Sequence, residues 1–65
     1  MPEELEDVKK KVIEHLRKVG KAKNKEVARA LNLDKHLVDK AIGELGKEGK
    51  IEYIYLDSSY VKLKD

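Results

Sequence analysis

The stretch Asp34–Gly49, DKHLVDKAIGELGKEG, constrains this chain more than any other. Asp34 suits a helix N-cap, where its carboxylate accepts a hydrogen bond from an unpaired first-turn amide. Leu37, Val38, Ala41, Ile42 and Leu45 follow at helical spacing and form one broad apolar stripe. His36, Lys40, Gly43 and Lys47 are turned away from it, with Asp39 to one side. Gly49 fits the left-handed residue that ends a helix. From Ile51 the apolar period changes from about 3.6 to 2. The sequence therefore predicts a helix over 35–48 with one face for a core and one for a partner, leading directly into a hairpin.

The preceding chain supplies two more helices. In the first, predicted over 3–19, Pro2 sits at the start, where its missing amide hydrogen costs nothing. Glu3, Glu4, Glu6 and Asp7 lie near its N-terminus and Arg17 and Lys18 near its C-terminus, both favourable to the helix dipole. Leu5, Val8, Val12, Ile13, Leu16 and Val19 form its buried stripe, and Gly20 ends it. Ala22 is expected to form one pair of a small strand. Asn24 is read as the cap of a helix over 25–31, with Val27, Ala28 and Leu31 inward and Asn32 left-handed at its end. Leu33 should plug the angle between the second and third helices.

The hairpin is predicted as strands 51–56 and 60–64 joined by Asp57-Ser58-Ser59. That loop sets Leu56 opposite Tyr60 and Glu52 opposite Lys64, an attractive cross-strand pair. Ile51, Tyr53, Tyr55, Val61 and Leu63 then share the face taken as the core side, leaving Ile54, Leu56 and Tyr60 together on the outer face. The order is α+β: three helices, then a two-stranded hairpin, in one domain over 1–65.

Composition limits what such a domain does. Lys, Arg, Asp and Glu make up 43% of the chain, and Cys, Phe and Trp are absent. Disulfides and thiolate metal sites are excluded, and Lys/Glu enrichment suggests a thermophile-like protein. No run is apolar enough for a signal peptide or a membrane span, so a soluble, cytoplasmic protein is expected. The formal net charge of +2 is small, but it is unevenly placed. Lys21, Lys23, Lys25 and Arg29 outnumber Glu26 and Asp34 in residues 20–34, and four lysines outnumber three acids in residues 35–50. Residues 51–65 are net acidic.

The run Asn24–Asp34, then Val38, Ile42, Leu45 and Gly49-Lys50-Ile51, resembles the winged helix-turn-helix superfamily over nearly the whole chain, as a small, stand-alone, archaeal or thermophile-like member. The resemblance implies a third helix that enters the DNA major groove and a hairpin wing that touches a neighbouring phosphate or minor groove. Among small members the pattern is similar in shape to the Z-DNA-binding winged-helix domains, which rely on an asparagine and a tyrosine in the third helix. Aligned on Gly49-Lys50-Ile51, those positions hold Asp39 and Gly43, and the wing has no proline, so left-handed DNA is not the expected ligand. The wing tip Asp57-Ser58-Ser59 carries no cation. The outer face of the third helix has no Arg, Asn or Gln to read bases bidentately. The implied function is thus duplex DNA binding of transcription-regulator type, mainly through phosphates.

The candidate nucleic-acid-binding residues are Lys23, Lys25, Arg29, Lys35, His36, Lys40 and Lys47, weighed against an ordinary solvated charged face. Gly43 permits close approach of a phosphate backbone or a packed neighbour, and costs a helix about 1 kcal/mol relative to Ala. Gly46-Lys47-Glu48-Gly49 matches the short glycine loop of KH domains, but a strand rather than a helix follows it. Nor is it a P-loop, since no Ser or Thr follows the lysine. His15 and His36 fall on different helices without further ligands, so no metal is expected. No catalytic arrangement emerges, and neither an enzyme, a cofactor nor a small-molecule substrate is inferred. The alternative is a protein-interaction module or homodimer, without nucleic-acid binding, through Ile54, Leu56 and Tyr60 on the hairpin.

Overall fold

The computed structural model describes residues 4–64. Its elements are α1 (Leu5–Val19), β1 (Lys21–Ala22), α2 (Asn24–Leu31), α3 (Lys35–Lys47), β2 (Ile51–Tyr55) and β3 (Ser59–Leu63). The expectations for Pro2 and Glu3 lie outside the described residues.

The helix ends are set by local chemistry. At α1, Gly20 takes φ 86° and donates its N–H to Leu16 O at 2.8 Å. At α2, Asn32 is left-handed (φ 57°, ψ 44°) and Leu33 N–H returns to Ala28 O at 2.9 Å. At α3, Asp34 Oδ1 accepts from His36 N–H at 3.0 Å. Gly49, at φ 75°, lets Lys50 N–H reach back to Leu45 O at 3.0 Å, which closes the last turn and points the chain into β2.

The cap of α2 differs from expectation. Asn24 is the first helical residue, preceded by Lys23 as cap. Glu26 accepts the Lys23 N–H at 3.0 Å, so Asn24 is not needed for capping. Its amide instead donates to Asp39 Oδ1 at 3.1 Å and ties the start of α2 to α3.

The core is entirely aliphatic. Val8, Val12 and Leu16 of α1 meet Val27 and Ala28 of α2, and Val38, Ala41, Ile42 and Leu45 of α3, with Ala22, Ile51 and Val61 closing the sheet side. Leu33 packs against this cluster from the α2–α3 turn, as expected. Among the described residues one buried side chain is charged. Lys9, 7% exposed, forms ion pairs with Glu6 and with Glu48 at the end of α3. It lies four residues after Leu5 and four before Ile13, on the buried side of α1.

The sheet is antiparallel in the order β1-β3-β2. Ala22 pairs with Val61, so β1 is the small strand anticipated. The hairpin register is corrected by two residues: Glu52 faces Lys62, not Lys64, and Ile54 faces Tyr60. Leu56-Asp57-Ser58 forms the turn, with Leu56 N–H donating to Ser58 O at 3.1 Å, so Leu56 leaves the strand. The shift is even, which preserves the faces while moving every partner. Glu52 gains its expected kind of partner from Lys62 at 3.7 Å.

A second correction concerns Tyr53 and Tyr55. They share a face with Ile51, as expected, but are 47% and 76% exposed. Full burial along that face ends at Ile51 and Val61.

Candidate nucleic-acid interface

The stripe that packs α3 fixes what its other side presents. With Val38, Ala41, Ile42 and Leu45 fully buried, His36, Lys40 and Lys47 are exposed on the opposite side, Lys40 one turn after His36 and Lys47 two turns after Lys40. Gly43 lies among them, and a Cβ built there meets no atom within 4 Å. No packed neighbour accounts for this glycine. It leaves a bare patch of helix backbone in the middle of a cationic stripe.

Two carboxylates temper that stripe. Asp39 accepts from Lys35 Nζ at 2.9 Å and from Asn24. The Lys35 ammonium, with help from Asn24, holds its carboxyl below the usual range against the opposing effect of burial. Lys35 is thus compensated within its own helix. Lys47 is only loosely paired, 3.9 Å from Glu44, and its side chain is 81% exposed. Among the described residues Lys40 and Lys25 form no ion pair. The flank therefore remains positive at Lys40 and Lys47 and is neutralised at Lys35.

Beside α3 the structure assembles a second surface. Lys23, Lys25 and Lys35 line a cleft of about 280 Å³ together with Tyr53, Tyr55 and Tyr60. The Lys21 and Lys23 ammonium groups each lie 5.7 Å from the centre of the Tyr60 ring, within cation–π range. Tyr60 also donates its hydroxyl to Asp57 Oδ1 at 3.3 Å. The Tyr53 ring approaches Gly46, where a Cβ would lie 3.6 Å from it, so this wing residue rests beside the last turn of α3.

Three of the seven candidate cations thus meet at the cleft, and three line the outer face of α3. Arg29 stands apart, one turn further along α2, on a separate groove with His15 and Glu26. Of the expected outer patch, Ile54 and Tyr60 lie half-buried in facing strands and Leu56, 65% exposed, lies in the turn that joins them. Alternation gives the face of Tyr53 and Tyr55 but not the point where the core ends, so their place in this cleft is not readable from the sequence. Asn24 was missed because a helix-start asparagine is ordinarily a cap.

No three His, Asp or Glu side chains converge on a metal-sized site among the described residues, and none of their helices is long and apolar enough to cross a membrane.

No protein-family model matches the chain, and no curated protein matches its sequence. Among solved structures, the fold is similar to that of the Zalpha domain of Carassius auratus PKZ, crystallised in complex with Z-DNA. The TM-score is 0.84 at 22% identity, over 92% of this chain and 97% of that one. A likeness that complete, at an identity that low, establishes architecture: this chain folds as a winged helix.

Proposed function

We propose that this protein binds duplex DNA through the outer face of α3, chiefly by its phosphates. The observation that carries this is the open stripe of His36, Lys40 and Lys47 around Gly43. A rigid helix presents two lysines there, Lys40 and Lys47, two turns apart, with bare backbone between them that a phosphodiester strand can approach closely. The similar Zalpha domain was crystallised on Z-DNA, which supports a nucleic-acid ligand for this fold. Here the third helix carries Asp39 and Gly43, and the cations around them are suited to contacts shared by any duplex. A role in transcription is the cellular setting that accords with such contacts.

The test is fluorescence anisotropy with short duplexes of unrelated sequence, in right- and left-handed forms. Wild-type protein should bind at low salt, with little dependence on base sequence. Lys40→Glu combined with Lys47→Glu should weaken binding about 100-fold, since phosphate contacts supply nearly all of such affinity. Both residues are exposed, so the helical circular dichroism should be unchanged. A correctly folded double variant that binds as wild type would overturn the proposal.

Homodimerisation through the wing is the second reading. It is favoured by the exposed Tyr55–Leu56 tip and weakened by the half-burial of Ile54 and Tyr60. Sedimentation of wild type and Leu56→Lys decides it. A dimer that the substitution dissociates supports the reading, and a wild-type monomer at high concentration removes it.

A further inference from the structure

The chain has three aromatic side chains, all tyrosines, and all three line the one cleft between the wing and the starts of α2 and α3. A 65-residue domain has little apolar area to bury, and aromatic rings are among the largest contributors to burial. Yet the core is wholly aliphatic, Tyr53 is about half exposed and Tyr55 stands largely in solvent. Their rings serve the surface.

The arrangement around them has a specific chemistry. Tyr53 and Tyr55 lie on the same face of β2, two residues apart, which separates them by about 6.7 Å along the strand. That backbone spacing is roughly twice the 3.4 Å rise of a stacked base, matching the separation of two groups stacked on either side of one base. Lys23, Lys25 and Lys35 border the same cleft. The nearest acids are already engaged, Asp39 by Lys35 and Asn24, and Asp57 by the Tyr60 hydroxyl. Flat rings flanked by the Lys23 and Lys25 ammonium groups, which form no ion pair among the described residues, suit bases joined by phosphates. Bases inside a duplex are paired and stacked and cannot reach rings at a hairpin's side, whereas unpaired bases can.

We propose that the tyrosine cleft binds an unpaired DNA strand, with bases stacked on Tyr53 and Tyr55 and phosphates on Lys23 and Lys25. This goes beyond the duplex reading and stands on different side chains, so each can fail alone. A protein with both surfaces would favour a duplex end bearing a single-stranded overhang, α3 on the paired part and the wing on the unpaired part.

The probe is a labelled oligothymidylate of about ten nucleotides, within the span of known single-strand sites, run beside a blunt duplex. Wild type should bind the oligothymidylate with quenching of tyrosine emission, which is directly visible because the chain lacks tryptophan. Tyr53→Ala with Tyr55→Ala should weaken that binding at least about 10-fold and leave blunt-duplex affinity unchanged. Tyr53→Phe with Tyr55→Phe, which keeps both rings, should bind as wild type. Lys40→Glu with Lys47→Glu should show the reverse pattern. Duplex binding without oligothymidylate binding overturns the cleft proposal alone, as does equal binding by the alanine variant. An oligouridylate that binds more tightly than the oligothymidylate assigns the cleft to RNA and overturns it as stated. Duplex affinity lost along with the rings would merge the two surfaces and overturn their separation.

Discussion

The outer face of α3 and the wing cleft both carry lysines, yet they are built in opposite ways. The α3 face is a row of point charges on a helix whose other side is fully buried, with a bare glycine at its centre. The wing cleft is a set of rings on a hairpin beyond its fully buried residues, with cations supplied by neighbouring helices. The first suits a rigid, regular anion such as a duplex backbone. The second suits a ligand with exposed flat groups. Equal charge thus leads to unlike chemistry, because the supporting structure decides what the cations can surround.

The largest expected effect comes from the floor that both surfaces share. Ile42 is fully buried beneath α3, and Ile42→Ala should cost about 3 kcal/mol of stability in a denaturant titration. Both surfaces should lose binding together as the protein unfolds. If only one does, the two are not held by a common core.

Gly43 distinguishes the surfaces with a smaller effect. A Cβ there meets nothing, so Gly43→Ala should raise stability by about 1 kcal/mol. Gly43→Gln, which fills the bare patch, should weaken duplex binding and leave the tyrosine cleft untouched. Unchanged duplex affinity in that variant would mean that no backbone approaches α3 at this position.

The smallest effect separates both surfaces from the clamp between α1 and the end of α3. The Glu48 hydrogen bond raises the Lys9 pKa above its ordinary value, and Lys9 lowers that of Glu48. A lowered carboxyl pKa contributes stability that is present above the ordinary value of 4.5 and lost as pH falls through the folded value. A raised amine pKa contributes stability that is present below 10.5 and lost as pH rises through the folded value. Thermal unfolding should therefore show a plateau that declines at both ends. Lys9→Met should flatten both declines attributable to this pair, and an unchanged acid limb would show that Glu48 takes no part.

The α3 face was legible in the sequence and the wing cleft was not, for a physical reason. Asp34, Asn32 and Gly49 each have a local backbone task that fixes their role without knowledge of the fold. Leu37 to Leu45 repeat often enough to identify the buried side, and with it the exposed one. The wing depends on facts that are not local. Alternation placed Tyr53 and Tyr55 on the correct face, but how far the core extends beneath them depends on helices distant in sequence. A register shift of two preserves every face and changes every partner, so Glu52 found Lys62 instead of Lys64. Lys9 illustrates the same point from within a helix. It is on the buried side of α1, but its partner Glu48 lies 39 residues away.

The most direct test of the central claim, that α3 meets a duplex through its phosphates, is the salt dependence of duplex affinity. With contacts from the two lysines Lys40 and Lys47, log Kd should rise with log salt at a slope of about 1.8, or roughly 12-fold between 50 and 200 mM. The slope should be the same for unrelated sequences, and should fall by about 2 in Lys40→Glu with Lys47→Glu. A duplex affinity that ignores salt, or a slope unaffected by losing those two lysines, would contradict the account.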